Sequence, residues 1–138
     1  MSRLLAMHKV AVIEDAEDNR DLLYYLLRDE FAVTRFGDGE DALRHFTQDA
    51  PDLIVLDIWL PGMDGIEVLK HVREDARLAN VPVVALTANA MSGDREKYLA
   101  AGFDHYAAKP IVNIEEFIGD LRRLLRVRSG PRQSGSDA

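Results

Sequence analysis

The stretch DLIVLDIWLPGMDG, residues 52–65, decides the fold. Leu53 to Leu56 are four apolar residues in a row, and the carboxylate of Asp57 follows them directly. A Pro61-Gly62 turn and an Asp64-Gly65 pair come next, with Glu67 three positions after Asp64, the spacing of a capping box at a helix start. The segment reads as a buried strand that ends on an acid and opens through a loop into a helix.

The same alternation runs through the chain. VAVI (10–13), FAVTRF (31–36), LIVL (53–56), VPVVAL (81–86) and HYAA (105–108) read as strands. Most are continuously apolar, as parallel strands covered on both faces are, whereas FAVTRF alternates and suits an outer strand. Helices are predicted over 18–29, 40–48, 65–75 and 92–101, the last of these running from Ser92 to a stop at Gly102. A final helix starts at Asn113, with Glu116 three residues on. Ile114, Phe117, Ile118, Leu121 and Leu125 give it one apolar stripe. Five βα units imply an open α/β sheet over residues 7–127. The remainder, RSGPRQSGSDA (128–138), has the composition of a disordered polar tail.

The bulk numbers narrow the function. A chain of 138 residues, 47% hydrophobic and 30% charged, suits one soluble domain with a real core. A net charge of -7 disfavours direct DNA binding and suits cations or basic partners. Without cysteine there is no thiolate metal site and no thiol nucleophile. No run approaches the length of a membrane span and Leu4-Leu5-Ala6-Met7 is too short for a signal segment, so the expected location is cytoplasmic.

In open parallel sheets, ligands bind outside the carboxyl ends of the strands. The residues placed there are Glu14 and Asp15 after the first strand, Asp57 after the third, Thr87 after the fourth and Lys109 after the fifth. A single acid at a strand end is ordinarily a helix cap. Four strands of five delivering chemistry to one edge weaken that explanation. Carboxylates a few Å apart repel by roughly 3–4 kcal/mol per pair at an effective dielectric near 20. Lys109 offsets part of this, and a hard divalent cation such as Mg²⁺ offsets more, with room left for a phosphoryl group beside Thr87 and Lys109.

VIED with Asn19 shortly after, DLIVLDIWLPGMDG, VPVVALTANAM and HYAAKP occur in order on the matching strand ends. In these the chain resembles the receiver domain of two-component response regulators, over about residues 7–127. The resemblance implies a flavodoxin-like, three-layer (βα)₅ fold with strand order 2-1-3-4-5. It implies Asp57 as phosphoacceptor, and Asp15, Glu14, Asp57 and the Trp59 carbonyl around Mg²⁺, for which Mn²⁺ or Ca²⁺ substitute. Thr87 and Lys109 match the pair that binds phosphoryl oxygens, and Tyr106 the aromatic switch. The Lys109-Pro110 bond is expected to be cis. Expected partners are a histidine kinase or histidine phosphotransfer protein and a downstream protein docking on the fourth helix, fifth strand and fifth helix. The protein is expected to be a monomer or weak dimer.

Trp59 departs from the small or polar residues common two positions after the phosphoacceptor. Its indole is expected either to shield the acyl phosphate or to face a partner, and Asn89 is a further rate-tuning position. Tyr24 and Tyr25 are expected at or near the core, or, since the resemblance implies that the first helix meets the kinase, at that interface. His8, His45, His71 and His105 show no ligand spacing, and the arginines of the last helix suit its dipole. An aspartyl-phosphate phosphatase is disfavoured because it needs a second acid where Trp59 stands. A nucleotide or flavin site is disfavoured because no Gly-rich loop follows the first strand. A phosphorylation-independent interaction module is disfavoured by the complete acid, Thr and Lys set. The Met1 start and polar tail suggest a stand-alone receiver over one excised from a hybrid kinase.

Overall fold

The computed structural model describes residues 7–88 and 90–129. Its elements are β1 (Lys9–Ile13), α1 (Glu17–Leu27), β2 (Ala32–Phe36), α2 (Gly39–Phe46), β3 (Leu53–Asp57), α3 (Gly65–Glu74), β4 (Val83–Thr87), α4 (Asp94–Ala101), β5 (His105–Ala108) and α5 (Ile114–Ser129). The strands form one parallel sheet in the order β2-β1-β3-β4-β5, the flavodoxin-like arrangement expected from the sequence.

Continuous apolar strands are explained by burial on both faces. Ala11, Ile13, Ile54 and Leu56 point to one side, where Ala42, Phe46, Val68, Leu69, Val72 and Tyr98 of α2, α3 and α4 cover them. Val10, Val12, Leu53 and Val55 point to the other, under Leu23 and Leu27 of α1 and Phe117, Leu121 and Leu125 of α5. The alternating FAVTRF segment forms the edge strand β2, as expected.

The turn after β3 forms as its sequence predicts. Asp64 accepts a hydrogen bond from the Glu67 amide and Glu67 accepts one from the Asp64 amide, both at 3.0 Å. Gly65 is required by close approach, since a Cβ there would lie 2.6 Å from the Asp57 carbonyl oxygen and 2.8 Å from Ile58 Cα. The helix that begins on Gly65 is thereby seated directly on the end of β3.

Some readings need correction. α4 does not start at Ser92. Gly93 takes a left-handed conformation (φ 88°) and the Asp94 carboxylate accepts from the Met91 amide at 2.8 Å, so the chain makes one more turn before the helix. Tyr25 is not at the core: it is 59% exposed, with Tyr24 half-buried beside it and Arg28 over its ring. α5 runs to Ser129, past the expected boundary at 127. Asn89 and the remainder of the polar tail lie outside the described residues. No helix among those residues is long and apolar enough to cross a membrane.

Candidate functional site

The carboxyl ends of β1, β3, β4 and β5 converge. Glu14, Asp57 and Thr87 are the buried polar residues of the molecule among those described, and Asp15 beside them is exposed. Apolar strands carry these groups to the sheet edge, Asp57 and Thr87 as the last residues of their strands and Glu14 and Asp15 just beyond the end of β1. Glu14, Asp15 and Asp57 each offer a carboxylate oxygen within 4.8 Å of the others'. Lys109 Nζ donates to Glu14 Oε1 at 2.7 Å and to Asp57 Oδ2 at 2.9 Å. Asp57 Oδ1 accepts from the Trp59 amide at 2.9 Å and Glu14 Oε2 from the Ala16 amide at 3.0 Å.

Lys109 is placed by its main chain. Its amide donates to the Thr87 carbonyl at 2.8 Å, Thr87 and Ala108 are register partners, and the bond to Pro110 is cis. The two strand ends that carry the hydroxyl and the ammonium are thus fastened to each other.

Burial raises the pKa of Glu14 above the usual carboxylate range, against the opposing pull of Lys109 and the Ala16 amide. Burial pulls Lys109 down, but Glu14 and Asp57 more than offset it and hold the ammonium above its ordinary value. One ammonium therefore faces three carboxylates, and two of those are buried. This donor set of hard oxygens with excess negative charge fits a small divalent cation such as Mg²⁺.

Glu14, Asp15, Asp57, Thr87 and Lys109 all lie at this edge. Trp59 is 61% exposed, beside the mouth of the pocket through its amide contact with Asp57. Tyr106, three residues before Lys109, stacks on Tyr98 with ring centroids 5.6 Å apart. Its hydroxyl oxygen is shielded from solvent and makes no hydrogen bond among the described residues. Burial first, and then the Asp94 carboxylate, raise its pKa.

Sequence reasoning missed Arg20. Its Nη1 donates to the Glu14 carbonyl at 2.9 Å and lies 3.3 Å from that of Asp15. Only its place one turn after the acid pair hinted at this reach. The four histidines contribute nothing to the pocket; His105 pairs instead with Asp120, 3.0 Å away on α5.

Known proteins resemble this chain in sequence and fold. The family model of the response regulator receiver domain matches residues 10–122. The polar-differentiation response regulator DivK of Brucella anthropi is 37% identical over 117 residues, covering 84% of this chain and 94% of DivK. The sensory transduction protein RegX3 of Mycolicibacterium smegmatis is 39% identical over 132 residues, covering 95% of this chain and 56% of RegX3. The chain spans about half the length of several such relatives. Among solved structures, the receiver domain of a Pseudomonas aeruginosa sensor histidine kinase, with a magnesium ion coordinated in its active-site cleft, is 34% identical. It superposes with a TM-score of 0.78 over 87% of this chain and 98% of that one. The chemotaxis protein CheY4 of Vibrio cholerae is 28% identical with a TM-score of 0.78, over 86% and 98% of the two chains.

Proposed function

This chain belongs to the response regulator receiver domain family, and from that premise we propose that Asp57 accepts a phosphoryl group from a phosphohistidine donor. The observation that carries this reading is the double contact of Lys109 with Glu14 and Asp57 at a strand-end cluster of three carboxylates. Glu14, Asp15, Asp57 and the Trp59 carbonyl are the groups that would hold Mg²⁺. When bound, Mg²⁺ neutralises charge on the phosphoryl oxygens.

The strand holds Asp57 so that a carboxylate oxygen meets phosphorus in line with the breaking bond. The new bond joins that oxygen to phosphorus. The phosphorus–nitrogen bond breaks, and the imidazole nitrogen of the donor keeps its electron pair. Lys109, already within hydrogen-bond distance of Asp57, stabilises charge on the transferring group. The product is an acyl phosphate with three acceptor oxygens, for which Thr87 supplies a hydroxyl donor. A hydrogen bond to such a charged acceptor contributes about 1.5–3 kcal/mol, enough to bias an element whose two states differ by a few kcal/mol. Movement of Thr87 changes the packing around Tyr106, whose register partner Ala85 lies two residues before Thr87. The surface of α4, β5 and α5 is then altered for a downstream protein.

Incubation with a phosphorylated histidine phosphotransfer protein tests the reading. Label is expected to move to this chain with Mg²⁺ and to stay on the donor with EDTA. Transfer that proceeds equally in EDTA would contradict it.

A further inference from the structure

Arg20 lies on α1 and sends its side chain back to the loop that carries Glu14 and Asp15. It donates to the Glu14 carbonyl at 2.9 Å and approaches the Asp15 carbonyl at 3.3 Å. The Glu14 amide donates in turn to the Phe36 carbonyl at 3.0 Å, and the Ala16 amide to Glu14 Oε2 at 3.0 Å. The main chain of both acids is therefore fastened, and the guanidinium is the one side chain seen to fasten Glu14 and Asp15 together among the described residues.

Gly37 points to the same role independently. Its φ lies outside the left-handed region, so no backbone strain calls for glycine there. A Cβ at this position would instead lie 3.3 Å from Arg20 Nη1. The missing side chain leaves the end of β2 open to the guanidinium.

We propose that Arg20 is a positioning residue of the cation site. It holds the loop so that the carboxylates of Glu14 and Asp15 stand beside Asp57 before a cation arrives, and the ordering of exposed Asp15 need not accompany binding. This rests on the reading of the carboxylate cluster as a Mg²⁺ site. The charge of Arg20 acts in the opposite sense, because a guanidinium repels a divalent cation. Positioning outweighs that repulsion, since Nη1 at the end of the side chain reaches both carbonyls directly.

Calorimetric titration of Mg²⁺ into the whole chain separates the two effects, at a temperature where circular dichroism shows each variant folded. Arg20→Met removes the contacts and the charge. Arg20→Lys keeps the charge but, being shorter, loses the reach of Nη1 to the two carbonyls. Gly37→Ala keeps Arg20 and crowds it. Arg20→Met and Arg20→Lys are each expected to weaken Mg²⁺ binding about tenfold or more, the scale for residues that orient metal ligands. Gly37→Ala is expected to shift affinity the same way by less. Parental affinity in Arg20→Lys, or equal or tighter binding in Arg20→Met, would overturn the positioning role while leaving the pocket's reading intact. A parent chain that binds no Mg²⁺ would overturn both.

Discussion

Lys109 Nζ lies 2.9 Å from Asp57 Oδ2 across 52 positions of sequence. β4 and β5 pair in parallel at that edge, and the amide of Lys109 is itself bound to the carbonyl of Thr87. The sheet end thereby fixes the backbone from which the ammonium reaches the acid. Fold and chemistry share this contact.

Removing that ammonium is expected to destabilise the protein when Mg²⁺ is absent. In Lys109→Met, Glu14 and Asp57 remain buried without their cation, a defect on the scale of about 3 kcal/mol. Urea unfolding in EDTA measures the loss, and added Mg²⁺ is expected to recover part of it. A variant as stable as the parent in EDTA would show that the carboxylates do not depend on Lys109.

Gly65→Ala is expected to cost about 1–3 kcal/mol through overpacking, because the added methyl meets the main chain of Asp57 and Ile58. Those atoms belong to the strand end and cannot swing aside. The same variant is expected to slow phosphoryl uptake, as the end of β3 must shift. Denaturant unfolding and a phosphorylation time course check the two effects separately.

The fold and much of this edge were legible before any coordinates. The strand-end acids, the hydroxyl and the ammonium sit at positions dictated by chain order, and unbroken apolar runs fix where each strand ends. Long side chains reaching across to loops were not legible. Arg20 bonds a loop before it in sequence. Arg73 joins the carbonyls of Ala79, Val81 and Gly102 to the Asp104 carboxylate. Neither contact leaves a periodic trace. The start of α4 was misplaced because Ser92 is a good cap by residue type, whereas the glycine after it adopts the conformation that begins the helix. Tyr25 was misplaced because an adjacent pair of tyrosines cannot occupy one face of a helix, and Tyr24 holds the more buried position.

His105 is expected to give the protein a pH dependence away from the pocket. Burial lowers its pKa below the ordinary 6.5, and Arg95 and Arg123 add to this while Asp120 opposes it. Above pH 6.5 both folded and unfolded chains carry a neutral imidazole there. As pH falls through that value, the unfolded chain takes up a proton that the folded chain resists, so stability is lost. Unfolding free energy is expected to fall between pH 7 and 5.5, and to fall less in His105→Gln. Identical slopes for the two proteins would remove His105 as the cause.

The exposed indole of Trp59 stands next to the proposed phosphoacceptor, with its amide bound to Asp57. Self-dephosphorylation is expected to be slow because the indole shields the acyl phosphate, and faster in Trp59→Asn, which keeps the amide contact. Following phosphate release after removal of the donor gives both rates. Equal rates would assign the indole to a partner contact instead.

The most direct measurement is the mass of the chain, and of its peptides, after incubation with a small acyl phosphate donor and Mg²⁺. One added phosphoryl group is expected, located on Asp57, sensitive to hydroxylamine, and absent from Asp57→Asn or from EDTA-treated protein. A phosphoryl group found on another residue, or full labelling of Asp57→Asn, would contradict the account.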